Sequence, residues 1–193
     1  MKRFISILSV ALLLSAVVFA QDSEGDVYDD GYVYEQNGAG DRFLKVDLGV
    51  NFADNFNGQL YPGIGANVGY FYFLSKHVAI GGEVSVGYNF SIGQKPLTTV
   101  PFTLGAMYQP YFGKFEFPIS LSIGFATTSL LDKSYFPSFA AKCTAGAYYR
   151  ISETWSFGLS TNTYVIPHWF ADEPKKNDLG IFTSANVSVR YHF

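Results

Sequence analysis

From Arg42 to the C-terminus the chain alternates apolar and polar residues with a period of two. Leu44, Val46, Leu48, Val50 and Phe52 are separated by Lys45, Asp47, Gly49 and Asn51. The same beat recurs over 64–72, 78–90, 100–108, 115–126, 139–150, 155–165 and 179–193. Period two marks a strand with two unlike faces, so the sequence predicts eight strands, and no helical pattern competes. Short turns fall near 74–77, 112–114 and 151–154, and longer loops near 53–62, 91–97, 127–137 and 166–177. The stretches Phe73–Val78 and Arg150–Trp155 echo one another, which points to a shared tight turn. Pro101 and Pro118 lie within predicted strands, where each removes a ladder N–H; bulges are expected to absorb them.

One face is continuously apolar, with aromatics near strand ends: Phe52, Tyr70, Tyr72, Tyr88, Phe90, Tyr108, Phe115, Trp155 and Tyr191. The other is Gly, Ser, Thr and Asn with a few charges. That is too little charge for a water-facing surface, whereas small residues suit the cramped interior of an eight-stranded barrel. The expected fold is therefore all-β: an eight-stranded antiparallel up-and-down transmembrane β-barrel, apolar side out, with aromatic girdles at both interfaces. Closure follows because an open edge in hydrocarbon leaves backbone groups unpaired.

Composition narrows the setting. Apolar residues make up 48% of the 193-residue chain, charged residues 15%, and the net charge is −3. Such a chain has no basic excess to meet phosphates, which argues against nucleic-acid binding. A single Cys143 excludes an intrachain disulfide or a Cys-cluster metal site, and its place on the apolar face suits a small buried or lipid-facing side chain. Lys2-Arg3, the apolar run Phe4–Ala20 and the small residues Val18 and Ala20 make residues 1–20 an expected signal peptide, cleaved on export. Residues 21–41 carry Asp22, Glu24, Asp26, Asp29, Asp30, Glu35 and Asp41 with no Lys or Arg, an expected mobile acidic segment. The barrel is expected over 42–193, in an outer membrane.

Parity sends Lys45, Asp47, Glu83, Glu116, Lys142, Arg150, Arg190 and His192 inward. Isolated charges there would be costly, but mixed signs can pair across a narrow lumen. Counting from the short turns places Asp47, Glu116, Arg150 and Arg190 in a low layer, with Glu83 and Lys142 facing each other at mid-height. An ion-pair plug is the preferred reading, and a selectivity filter the alternative. Phe71, Met107, Tyr164 and Phe182 also point inward and could line an apolar upper lumen. Trp169 and Phe170 in the last long loop suit contact with an extracellular partner or anchoring at the lipid interface. No metal, cofactor or catalytic residue is expected. A nucleophile set at His168 with Asp172 or Glu173 lacks any supporting motif, and His77 lies in a turn.

The ending Val187-Ser188-Val189-Arg190-Tyr191-His192-Phe193, together with the eight alternating strands, resembles small outer-membrane proteins of the OmpW-like and OmpX/OmpA-membrane-domain families. The run Tyr32–Asp41 leading into Phe43–Gly49 resembles OmpW-like barrels of spirochaetes. The resemblance implies outer-membrane lipid as the surroundings and recognition of Tyr191 and Phe193 by the barrel-assembly machinery. It offers two alternatives to a plugged structural barrel: a passage for small hydrophobic molecules, as in OmpW-like proteins, and a lipid-modifying enzyme of the outer membrane.

Overall fold

The alternation becomes a closed wall. In the computed structural model, which describes residues 36–54, 61–90, 96–130, 133–168 and 178–193, the strands are β1 (Arg42–Ala53), β2 (Gly63–Phe73), β3 (Val78–Phe90), β4 (Pro96–Tyr108), β5 (Tyr111–Phe112), β6 (Phe115–Glu116), β7 (Ile119–Leu130), β8 (Lys133–Arg150), β9 (Trp155–His168) and β10 (Asp178–His192). Each long strand pairs antiparallel with its neighbour, and β1 pairs with β10, from Phe43↔His192 to Ala53↔Phe182. The long strands form an eight-stranded barrel, while β5 and β6 make a small hairpin at the end that holds the first and last strand ends. We call that end the base and the opposite end the mouth.

Tight turns at the base explain themselves locally. Gly113, at φ 53°, turns the β5–β6 hairpin in a conformation that a Cβ would resist. At 74–77 and 151–154 the same device recurs: the Ser75 and Ser152 hydroxyls each accept the N–H three residues on, from Val78 and Trp155, at 3.2 Å. This common Ser bond accounts for the echo between the two stretches.

Side chains obey the parity. Leu104, Ile64 and Leu121 are 71%, 69% and 67% exposed, while the alternate positions on every long strand turn into a filled interior. An outer wall of Leu, Val, Ile and Phe facing outward on all sides matches hydrocarbon rather than water. Aromatic rings ring the base: Trp155–Tyr191 at 4.9 Å, Phe115–Tyr149 at 5.1 Å and Tyr191–Phe193 at 5.9 Å. Tyr88 and Phe90 pack edge to face, at 5.0 Å, toward the mouth.

The two strand prolines are accommodated without the expected bulges. Around Pro118, β6–β8 and β7–β8 keep one register, from Glu116↔Tyr148 to Ile119↔Ala145. The Pro118 carbonyl still accepts the Gly146 N–H at 3.0 Å, so only the missing donor interrupts the strand. Around Pro101 the register of β3 on β4 is likewise unbroken, from Val84↔Phe102 to Gly87↔Thr99, but the two rungs between are absent. That register sets Pro101 opposite Ser85, whose carbonyl lacks a ladder donor. The register shift that does occur lies on the far side of β7, in its pairing with β8, between Ala126, the partner of Pro101, and Thr128. Pro101→Ala restores the donor and is expected to stabilise the barrel by about 1 kcal/mol, read as a higher urea midpoint in detergent; an unchanged or lower midpoint contradicts this account.

Candidate functional site: the charged lumen

Seven charged side chains fill the lower and middle lumen, and Lys45, Asp47, Glu83, Glu116, Lys142, Arg150 and Arg190 are each 4% exposed or less. Ions this deep are tolerated only when paired and hydrogen-bonded. They form two clusters.

The middle cluster is built on Glu83 of β3. Its Oε2 accepts the Lys142 Nζ at 2.6 Å from β8 across the lumen, and its Oε1 pairs with Lys45 of β1. Lys45 Nζ also lies 3.2 Å from Asp47 Oδ2. Asn67 of β2 ties the carboxylates together, donating to Asp47 Oδ2 at 2.8 Å and Glu83 Oε1 at 2.9 Å. Its own oxygen accepts from Ser85, which bonds the Tyr164 hydroxyl at 2.6 Å. Two ammoniums and two carboxylates balance, and the chain of bonds crosses from β1 through β3 to β8 and β9. The barrel wall makes room for it: a Cβ on Gly69 would sit 2.9 Å from the Glu83 stem.

The base cluster is built on Glu116 of β6. Its two oxygens face Arg150 Nε at 2.9 Å and Arg190 Nη1 at 3.2 Å. Two guanidiniums share one carboxylate, and other groups hold them. The Arg190 guanidinium carbon lies 3.4 Å from the Tyr148 ring centre and 4.8 Å from that of Phe43, and Arg190 donates to Gln109 Oε1 at 2.9 Å. Arg150 donates to the Gln36 carbonyl and to Asn37 Oδ1, and contacts the His192 ring, whose Nε2 meets the Ser156 hydroxyl at 2.8 Å. Gln36 and Asn37 are thus buried in the base, with Gln36 also donating to the Gly113 carbonyl. The packed body begins at least six residues before Arg42, inside the stretch expected to be mobile. Phe43, Phe71, Phe73, Ala79 and Met107 close the remaining space, Phe43 and Phe71 stacking at 5.0 Å.

Three placements differ from the sequence reading. Asp47 belongs to the middle cluster with Lys45, Glu83 and Asn67, not to the base layer. Phe71 and Met107 lie at the base, whereas Tyr164 and Phe182 pack near the mouth with Leu97, Ala126, Ala140 and Ile166; the four do not line one pocket. The space above the middle cluster is not purely apolar: five asparagines share its lining with Ala66, Val86, Pro101, Tyr164, Ile166 and Phe182. The shared inward parity of Asn51, Asn67, Asn89, Asn162 and Asn186 was the available signal for that lining. Parity places Lys45 among the inward charges, but its bridging of two carboxylates follows from side-chain reach that parity does not give.

Other candidates fall at the margins. Trp169, Phe170, Asp172, Glu173, residues 1–20 and residues 21–35 lie outside the described residues. His168 ends β9. His77 stacks on Tyr111 at 5.3 Å in the turn. Cys143, half-buried, faces outward on β8 and is a free thiol. Among the described residues no group of three or more His, Cys, Asp or Glu is placed to hold a metal ion. At the base Tyr191 and Phe193 are exposed, Phe193 packing on Tyr70 at 6.3 Å, and its backbone exchanges both hydrogen bonds with Arg42.

The comparisons place the chain. It is similar to an uncharacterized protein of Treponema pallidum (strain Nichols), 30% identical over 178 residues that cover 83% of this chain and 80% of the relative. A second uncharacterized protein of the same organism is 27% identical over 76% of this chain, which spans about 55% of that relative's length. Among solved structures the fold is similar to Neisserial surface protein A, with a TM-score of 0.68 at 11% identity, covering 79% of this chain and 97% of that one. It is also similar to the outer membrane protein OprG of Pseudomonas aeruginosa, with a TM-score of 0.56 at 11% identity over 83% and 99%. The attachment invasion locus protein Ail of Yersinia pestis gives 0.53 at 14% identity over 80% and 99%. A protein-family model, that of a treponemal family of unknown function, matches residues 21–191. The chain belongs to that treponemal family, and its fold is that of the small eight-stranded outer-membrane β-barrels.

Proposed function

We propose that the protein is an integral, non-enzymatic outer-membrane barrel whose lumen is sealed, and whose mouth-side loops serve membrane structure or contact with the surroundings. The observation that carries this reading is the pair of stacked ion clusters spanning the lumen. Glu83 reaches ligands on both sides of the barrel, and Arg150, Arg190 and the Phe43–Phe71 stack fill the section beneath it. An ion entering from either end would have to displace a buried partner, which costs several kcal/mol, so a continuous water column is disfavoured. Orientation follows the barrel rule of short periplasmic turns and longer outer loops. In this reading residues 1–20 direct export and are removed, lipid surrounds the apolar wall, and Tyr191 and Phe193 present the C-terminal strand to the barrel-assembly machinery.

Planar-bilayer recording tests the seal. The purified protein is expected to give no stable, long-lived open level, and Glu83→Ala together with Lys142→Ala is expected to produce one. A large steady conductance in the wild type that these substitutions leave untouched would end the sealed-barrel reading.

A further inference from the structure

The base cluster holds more positive charge than its one carboxylate neutralises. Arg150 and Arg190 share Glu116, which takes the Nε of Arg150 and leaves that residue's two terminal nitrogens for other acceptors. Both of these reach one short stretch of chain: Nη1 donates to the Gln36 carbonyl, and Nη2 donates to Asn37 Oδ1 at 3.0 Å. Two N–H groups of one guanidinium on a pair of oxygens is the way arginine takes a carboxylate or a phosphate, yet here both oxygens are neutral. On the other side of Glu116, Gln109 Nε2 and Arg190 Nε are buried without a hydrogen-bond partner. Arg190 itself holds Gln109 through the amide oxygen, at 2.9 Å. Positive charge and N–H donors are thus both in excess in this layer.

The stretch that supplies those oxygens is built to come away. Residues 36–41 read Gln-Asn-Gly-Ala-Gly-Asp, and the one apolar side chain with a Cβ, Ala39, is exposed. No hydrophobic burial therefore holds this strap. Hydrogen bonds do: Gln36 donates to the Gly113 carbonyl, the Gly40 N–H to the Phe73 carbonyl at 2.9 Å, and the Gly38 N–H to Asp41 Oδ2 at 2.6 Å. Gly40, at φ 103°, is a hinge where a side chain would be strained. The wall pairs of β1 start beyond the hinge, at Arg42↔Tyr72 and Phe43↔His192, so the strap lifts without opening the barrel.

We propose that Arg150 heads a phosphate-binding site at the base of the barrel, and that Gln36 and Asn37 are a built-in stand-in which occupies it until a phosphate group displaces them. Hydrogen bonds between two charged groups are roughly twice as strong as those to a neutral oxygen, so a phosphate outcompetes a carbonyl and an amide for the same guanidinium. Its negative charge also balances a layer in which two guanidiniums face one carboxylate. Arginine's planar fork, rather than an ammonium, is the group suited to this exchange of one oxygen pair for another. That the site faces the periplasm rests on the orientation given above; that it binds phosphate does not.

The test uses the full mature chain with Cys143→Ala and a nitroxide attached at Ala39→Cys, an exposed strap position. In phosphate-free lauryldimethylamine oxide micelles the nitroxide spectrum is expected to be broad, the strap being seated. Inorganic phosphate is expected to sharpen it saturably, and chloride at the same ionic strength is not. Calorimetric titration gives the affinity. Asn37→Ala, which removes one stand-in oxygen, is expected to bind phosphate about tenfold more tightly, at least the worth of one hydrogen bond to a charged group. Arg150→Gln is expected to show a mobile label from the start and no phosphate binding. Heat-dependent gel mobility shows that each variant is folded. Nanodiscs separate the sources: a mobile label in phosphatidylglycerol without added phosphate, but not in a phosphate-free galactolipid, supports a lipid headgroup, and mobility only on adding phosphate supports the free ion. A label that phosphate leaves broad, chloride acting as well as phosphate, or a folded Asn37→Ala that binds no more tightly overturns the proposal. Steady conductance of the wild type in a planar bilayer would end the sealed-barrel reading and leave the phosphate titration standing.

Discussion

Glu83→Ala is expected to cost the folded barrel about 3–5 kcal/mol, the range for removing one partner of a buried ion pair. Lys45 keeps Asp47 at 3.2 Å, but Lys142 loses the carboxylate it hydrogen-bonds and keeps the Tyr164 ring, 5.1 Å away. Urea titration in detergent, read from the shift between folded and unfolded gel mobility, measures the loss. The double variant Glu83→Ala with Lys142→Met removes the stranded ammonium and should recover at least half of it. A double variant no more stable than the single one would show that the middle cluster is not an energetic unit.

Glu116→Ala is expected to cost less, about 2–3 kcal/mol, although it strands two guanidiniums instead of one ammonium. Arg190 retains the Tyr148 and Phe43 faces and the Gln109 oxygen, and Arg150 retains the Gln36 carbonyl and Asn37. Arginine's planar head makes such substitutes effective, whereas a buried ammonium depends on its counter-charge. The same urea titration checks the order of the two variants; a larger loss for Glu116→Ala than for Glu83→Ala contradicts it. Adding Tyr148→Leu to Glu116→Ala should widen the loss, because it removes the ring beneath Arg190.

The wall of the barrel was legible in the sequence because a period of two needs nothing beyond the strand itself. Leu48 and Asp47 are adjacent in the chain and opposite in environment, 63% and 0% exposed, as their parity requires. Height in the lumen was less legible. Strands in a barrel are tilted and staggered, so Asp47 meets Glu83's partners rather than the arginines at the base. The division of Phe71 and Met107 from Tyr164 and Phe182 could have been read, since the first two lie close to short turns and the second two close to long loops. The burial of Gln36 and Asn37 could not: neither belongs to a periodic pattern, and both are held by Arg150, which is more than a hundred residues away in sequence. The prolines are plain in the sequence but their effect is not, because a missing donor can simply leave a rung empty when neighbouring rungs hold the register.

The pairing of β1 with β10 sets the order of events during biogenesis. Phe43 and His192 are neighbours in space, so the seam joins the earliest strand to the latest. Until β10 arrives, β1 carries an unsatisfied border along Phe43–Ala53, and every intermediate is a curled sheet with two adhesive rims in a solvent that cannot quench them. Such a sheet invites a foreign strand, and the entropy of bringing distant segments together slows its own completion. The slowest step in making this molecule is therefore its final zippering, and a host must shield both rims until then.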